Sequence, residues 1–301
     1  MSQRIATAQN FLLGARDPRG GWPYRAGQQP SPEPTCYSLW ALASGARKPD
    51  FDPARDAGLR WLASCLNQDG ALVLEGDEEP HWSTSLLVIT LARFGWQPEL
   101  RDKAAGFLLR WSGQTTPKTA EVTLDGALHG WPWISGTFSW VEPTCYALLA
   151  LKLAGHGQHP RVAEAQRMLL DRVCQDGGWN YGNRVIYGAA LHGYISSTAL
   201  AALALQDVVA AAEPIQRGLA FLERETKEHR STLTLALTIL CFQAFAKPVA
   251  EVVAALESRQ EPDGSWRQQV HLTALASLAL QAAAGGPNIF RLPQAGTKGA
   301  S

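Results

Sequence analysis

The sequence predicts an all-α protein whose helices form a closed double ring, six outer–inner pairs and about twelve helices. Three observations predict it: an ungapped internal repeat, two alternating helix types of opposite burial, and a register that returns six times.

The repeat comes first because a fixed order of similar segments changes the fold that a sequence implies. GGWPYRAGQQPSPEPTCYSLWAL (20–42) aligns with HGWPWISGTFSWVEPTCYALLAL (129–151) at a constant offset of 109. Trp22 matches Trp131, and Glu-Pro-Thr-Cys-Tyr at 33–37 matches 142–146. Weaker copies follow at QDGAL (68–72), CQDGGWNYGN (174–183) and EPDGSW (261–266), ahead of Thr84, Thr198 and Thr273. A degenerate unit without a Gly-Trp turn starts at Thr232.

Each register threonine (35, 84, 144, 198, 232, 273) opens a helix-length apolar run. These runs are apolar nearly all round, which predicts burial. Six residues after the threonine stands Ala or Thr, read as close helix–helix contact; seven after it stands Leu or Ile, read as core. Ahead of each run lies a segment such as RVAEAQRMLLDRV, with charges between apolar residues at helical spacing. Those are outer helices, wet on one side. Alternation of this kind fits a closed double ring, since an open stack needs polar caps at both ends. One domain over 1–285 is expected, with an insertion at about 113–140 and a flexible tail at 286–301.

Composition narrows the function. The chain is 46% hydrophobic and 18% charged, rich enough for a core and too apolar for a disordered chain. Lys+Arg and Asp+Glu are 27 each, so no basic footprint for nucleic acid is expected. No apolar run approaches the ~20 residues of a membrane span. Five scattered cysteines and a start without a signal-peptide pattern lead to an expected cytoplasmic location.

The Q-D-G-G-W type turns at 175–179, with relatives at 19–22, 68–71 and 261–266, and the apolar helix after each, resemble the prenyltransferase/squalene-oxidase repeat superfamily. That superfamily includes squalene–hopene and oxidosqualene cyclases and the β subunits of protein prenyltransferases. The resemblance spans nearly the whole chain and implies an α/α toroid. It also implies that the turn Trp and Gln pack between helices.

Because every unit has the same order, all inner helices start at one end of the ring. Helix N-termini carry unpaired N–H groups and partial positive charge. Two residues before each register threonine stand Glu33, Trp82, Glu142, Ser196, Arg230 and His271. Ring closure brings unit six beside unit one, so His271 is expected next to Glu33, with Arg230 on its other side. Glu33, Glu142 and His271 are the candidate catalytic residues, because a carboxyl in an apolar cavity holds its proton for delivery. Each has a structural alternative: acids complement a helix start, and a lone histidine is commonly hydrogen-bonded for packing.

The resemblance bears on these positions. Class II terpenoid cyclases protonate an alkene or epoxide with the central Asp of an Asp-x-Asp-Asp motif just before an inner-helix Thr. Glu33 and Glu142 hold that central place here, in Ser31-Pro-Glu-Pro and Trp140-Val-Glu-Pro, without the flanking acids. Prenyltransferase β subunits carry zinc-ligand motifs ending in Cys-Tyr at the same helix starts. Cys36 and Cys145 match their cysteine, while Pro34 and Pro143 replace the other ligands. Arg25 matches a residue that touches diphosphate in those subunits. The candidate ligand-binding aromatics are Tyr37, Trp82, Trp131, Trp133, Trp140, Tyr146 and Tyr194, joined by Arg25 and Arg230. Aromatic faces hold isoprenoid chains and stabilise carbocations, and the same rings also serve as fillers in an Ala-rich core.

The expected function is a terpenoid-cyclase- or prenyltransferase-like toroid that binds a hydrophobic, isoprenoid-like small molecule in a central cavity, as a metal-free, acid-catalysed cyclase. No cofactor is predicted, with zinc or Mg²⁺ compatible. The alternatives are a non-catalytic toroid for lipid, peptide or protein, zinc-dependent prenyl transfer with a helical partner subunit, and a carbohydrate-active toroid using acids such as Asp77, Glu78 and Glu79.

Overall fold

The Thr-led apolar runs all become helices, and so do the amphipathic segments before them. In the computed structural model, residues 1–44, 50–74, 76, 79–117 and 124–293 are described. They contain twelve α-helices: α1 (Ser2–Gly14), α2 (Pro32–Ala43), α3 (Phe51–Ser64), α4 (Thr84–Phe94), α5 (Pro98–Arg110), α6 (Val141–Leu153), α7 (Pro160–Asp171), α8 (Ile195–Leu205), α9 (Ala212–Glu225), α10 (Thr232–Ala244), α11 (Ala250–Glu257) and α12 (Val270–Ala283). Asp77 and Glu78 lie outside the described residues, as does the tail from 294 onward.

The even-numbered helices are the inner ones. In α6 every residue from Pro143 to Leu151 is buried, and α8 and α12 are similarly enclosed. Neighbours pack in the order α2, α4, α6, α8, α10, α12 and back to α2, so the ring closes. The odd-numbered helices lie outside: α1 bridges α12 and α2, α5 bridges α4 and α6, and α11 bridges α10 and α12. The predicted all-α toroid of six outer–inner pairs is the fold observed. A two-residue hairpin, β1 (Val185–Ile186) against β2 (Ala189–Ala190), is the only regular sheet among the described residues.

The turns lock each pair together. Trp22, Trp131, Trp179 and Trp266 are wholly buried. Each indole N–H donates to a carbonyl near the end of its own outer helix: Leu12 at 2.7 Å, Leu108 at 2.9 Å, Leu169 at 2.7 Å and Leu256 at 2.9 Å. Each Trp backbone N–H donates to the register threonine hydroxyl, Thr35, Thr144, Thr198 or Thr273, at 2.8–3.0 Å. In unit two Leu72 takes this place, its N–H on Thr84 at 2.9 Å. Thus the threonine that marks the register in the sequence is the acceptor that satisfies a buried backbone donor. The turn also needs glycine: Gly20 has φ 118°, and a Cβ there would stand 2.5 Å from the Ala57 carbonyl oxygen of α3. Gly264 (φ 88°) presses on Thr7 of α1 in the same way and closes the seam between the last unit and the first.

The tail differs from expectation over its first part. Phe290 is wholly buried, and its ring meets Trp40 of α2 edge-on at 5.6 Å. Polar groups at the C-terminal ends of the inner helices hold it. Arg93 Nε donates to the Ile289 carbonyl at 2.8 Å, Gln206 Nε2 to the Phe290 carbonyl at 2.8 Å, and Asn288 Nδ2 to the Leu240 carbonyl at 2.7 Å. Residues 288–292 therefore seal that end of the ring rather than hanging free. Their sequence lacks the repeat and follows Gly-Gly-Pro, which reads as a loop.

Candidate active site

The other end, the mouth, is where the inner helices begin. Glu33 and Glu142 sit in the first turns of α2 and α6. Both are held there by the same local logic: an extended residue before the helix and proline in or just after its first turn. Burial raises the pKa of both carboxyls above their ordinary value, and proximity to Glu142 raises Glu33 further.

Their partners differ. Glu33 Oε2 accepts a short hydrogen bond from the Tyr24 hydroxyl. Glu142 Oε1 accepts two, from Ser196 at 3.0 Å and Ser197 at 2.8 Å on α8. These donors oppose the effect of burial without reversing it. In each carboxyl the hydrogen-bonded oxygen acts as acceptor, so in the neutral acid the proton belongs on the other oxygen.

His271 stands beside Glu33 through an intermediary. Its ring meets Tyr24 edge-on at 5.1 Å, and Tyr24 reaches Glu33. Burial lowers the His271 pKa to about 4, and Nδ1 has no hydrogen-bond partner among the described residues. The imidazole is thus neutral near pH 7, with one ring N–H and no acidic imidazolium proton. Arg230 does not join this cluster. It is exposed, donates from Nε to the Thr226 carbonyl at 3.2 Å, and lines a groove between outer helices. The expected carboxylate–histidine–arginine triad is a carboxyl–tyrosine–histidine row instead: Glu33 and His271 are each the second residue of an inner helix, whereas Arg230 lies two residues ahead of α10.

Aromatic rings surround the carboxyls. Trp82 meets Trp133 edge-on at 5.1 Å and Tyr146 at 5.1 Å. Tyr181 and Tyr194, each about half exposed, lie 4.9 Å apart. They line an open cavity of about 530 Å³ together with Asp176, His192 and Ser196. Ser196 makes Glu142 the carboxyl nearer that cavity. Trp140 is half-buried at the entry to α6, its N–H on the Trp131 carbonyl. Trp131, expected as a ligand contact, is wholly buried in an inter-helix slot with Arg161 stacked over it at 4.6 Å; its work is packing. Arg25 is exposed on the loop after Trp22.

Below the mouth the ring is filled. The Tyr37 and Tyr146 hydroxyls meet at 2.7 Å in front of α4, and both side chains are buried. Trp40 and Phe290 occupy the next level down. The central cavity expected from the sequence is filled by these side chains, and the open cavity lies among α8, α9 and the start of α10. Cys36 and Cys145 are enclosed within α2 and α6, and burial pushes the Cys36 thiol up to about 12. No group of three or more His, Cys, Asp or Glu among the described residues is arranged to hold a metal, so the residues present do not fit the zinc site of a prenyl transferase. Among them, too, no helix is long and apolar enough to cross a membrane.

Sequence reasoning missed Tyr24 and Tyr181. A signal was present: an aromatic stands two residues after the turn Trp in three units, as Tyr24, Trp133 and Tyr181. The turn Trp faces the slot, and the residue two further on faces the mouth.

Architecture and mouth together define the class: an α/α toroid with two half-buried carboxyls where its inner helices begin. Several solved structures share that fold. A type II terpene cyclase from Scytonema, MstE, superposes with TM-score 0.65 at 17% identity, covering 94% of this chain and 98% of the cyclase. It has also been solved with geranylgeranyl dihydroxybenzoate as substrate and merosterolic acid A as product. An α-1,6-mannanase from Salegentibacter matches with TM-score 0.68 at 11% identity, covering 94% and 98%. A protein from Actinoplanes matches with TM-score 0.67 at 18% identity, covering 94% and 99%. No family model and no curated protein matches the chain. These likenesses fix the toroid. Because a cyclase and a mannanase share it, they leave the chemistry to the residues.

Proposed function

We propose that the protein is a metal-free, acid-initiated terpenoid-cyclase-like enzyme that takes an isoprenoid-like substrate at the mouth, with Glu142 as proton donor. The observation that carries this reading is the half-buried Glu142 carboxyl, whose pKa burial raises, with both serine donors on Oε1. In the neutral acid the proton sits on Oε2. Transfer to an alkene carbon consumes the π bond, forms one C–H bond and leaves a carbocation. The faces of Tyr181 and Tyr194, which line the cavity, suit that cation. Cyclisation moves the positive charge along the chain, and loss of a proton from carbon ends it. The carboxylate left on Glu142 is stabilised by Ser196 and Ser197. The Scytonema cyclase supports the reading in one respect: a chain that a single ring covers almost completely acts as a type II cyclase. Two rings are therefore no requirement.

Product analysis with squalene and a geranylgeranyl substrate tests it. Glu142→Gln keeps the shape and removes the proton, so turnover should fall ~100-fold or more. Unchanged turnover in that variant would sink the assignment. A second reading, a non-catalytic toroid for a hydrophobic ligand, is favoured by the filled axis beneath the mouth. Native mass spectrometry separates the two: a retained lipid that is never converted supports binding alone.

A further inference from the structure

The mouth carries an apolar surface that the opposite end of the ring lacks. Ten large apolar side chains are exposed among the described residues, and eight of them lie at inner-helix starts or in the turns leading to them. The exceptions are Met1 and Val209, which stand where outer helices begin. The surface peaks on the hairpin of β1 and β2. From 185 to 191 the sequence reads Val-Ile-Tyr-Gly-Ala-Ala-Leu, without a charge, between Arg184 and His192. Residues 186–190 are all exposed, Ile186 at 42% and Tyr187 at 97%. Tyr187 and Gly188 form the two-residue turn, with φ of 50° and 77°. Such a turn favours Asn or Gly, so the tyrosine occupies it at a conformational cost, at the most exposed point of the chain's apolar surface. Tyr181 and Tyr194 stand at the base of the hairpin, and Phe138 continues the surface; the Tyr181 carbonyl accepts the Val141 N–H at 3.0 Å, which joins this loop to the segment bearing Phe138. Four of the six tyrosines, Tyr24, Tyr181, Tyr187 and Tyr194, are exposed at this end, whereas Tyr37 and Tyr146 are buried.

We infer that the mouth face docks on a lipid bilayer, with Ile186 and Tyr187 at the hairpin tip entering the boundary between headgroups and acyl chains. Tyrosine suits that depth, because its ring is apolar and its hydroxyl stays wet. A second protein chain suits the hairpin less: strands of two residues are too short an edge to pair with, and an exposed tip offers no pocket for an anchor residue. The open cavity has Tyr181 on one side of the hairpin and His192, Gly193 and Tyr194 on the other, so a bilayer touched by the tip lies beside the cavity. The inference stands on exposure and holds whether or not the cavity performs the proposed reaction.

Flotation of the whole protein with phosphatidylcholine vesicles tests it. The wild-type protein should float with the vesicles. Ile186→Ser combined with Tyr187→Asn should weaken partitioning about tenfold or more, since two side chains lose their apolar burial. Asn suits the turn, so the hairpin persists and the melting temperature should stay as in the wild type. Val209→Ser removes an equally exposed apolar side chain at the opposite end and should float like the wild type. The inference is overturned if the wild-type protein does not float, if the double variant floats as well, or if Val209→Ser weakens partitioning as much. Sedimentation without vesicles names the other occupant: a wild-type dimer that does not float, and that the double substitution turns into a monomer, would assign the tip to a second copy and overturn the inference. The wild-type flotation needs no variant, so it decides the matter even if the double substitution disturbs the fold.

Discussion

Units one and three share the peptide Glu-Pro-Thr-Cys-Tyr and the turn Trp at a constant offset, yet they part company at the mouth. In the slots they are equivalent: Trp22 and Trp131 use the same two hydrogen bonds, to a register threonine and to a helix-end carbonyl. At the mouth Glu33 meets a phenol from its own turn, while Glu142 meets two serines from the next unit. The lesson is that the repeat fixes the buried slot, while the mouth diverges even inside a unit, as Tyr24 on Glu33 shows. What lies between units is free to diverge, and the candidate chemistry sits there.

The sharpest test of the equivalent half is deletion of the indoles. Trp22→Ala and Trp131→Ala should each cost about 3–5 kcal/mol in denaturant unfolding, since each leaves a large cavity. Trp131 should stand at the upper end because Arg161 also stacks on it. A cost below about 1 kcal/mol at either site would break the equivalence. Thr35→Val and Thr144→Val come next. Each orphans a buried Trp N–H and should cost about 1–3 kcal/mol, equally in the two units.

The divergent half is tested by pH. Glu33 and Glu142 have folded pKa values raised above the ordinary 4.5. The folded state then binds more protons than the unfolded one, so their contribution is present below 4.5 and is lost as pH rises through the folded values. His271 runs the other way: with a folded pKa of about 4 against 6.5, it gives stability that is lost as pH falls through that window. Relative to wild type, Glu33→Gln and Glu142→Gln should gain in melting temperature as pH is raised from 4 to 8. His271→Phe should instead gain as pH is lowered. Parallel profiles for all three variants would show that burial does not set these groups' protonation.

Much of the fold could be read because a structural rule recurs with its residues intact. The register threonine accepts a turn N–H in every unit but the fifth, and the turn tryptophan and the apolar run each do one job in every unit that has them. The site was legible only where it shares that register. Glu33, Glu142 and His271 fall at the mouth because helix starts must. Arg230 shares the register by count, but it lies ahead of α10 rather than in its first turn. Trp131 was misread because a repeat says which residues are equivalent, and only the neighbouring helix says whether an indole faces a ligand or Arg161. The Phe290 plug left no trace, since a single segment held by Arg93, Gln206 and the Leu240 carbonyl has no second copy to compare.

The finest distinction between the two mouth carboxyls rests on one hydroxyl. Tyr24 donates to Glu33 and so favours its ionised form, against burial and the charge of Glu142. Tyr24→Phe removes that donor and keeps the ring that packs on His271. The Glu33 pKa should then rise further, since a donor that favours the ionised form is gone. Glu142 has its own donors on α8 and should move much less. Carboxyl titration by ¹³C NMR reads both at once. Ser197→Ala should produce the mirror result, raising Glu142 and leaving Glu33 nearly in place. If either substitution moves both carboxyls together, the pair titrates as one coupled unit, and the proton assigned to Glu142 belongs to the pair.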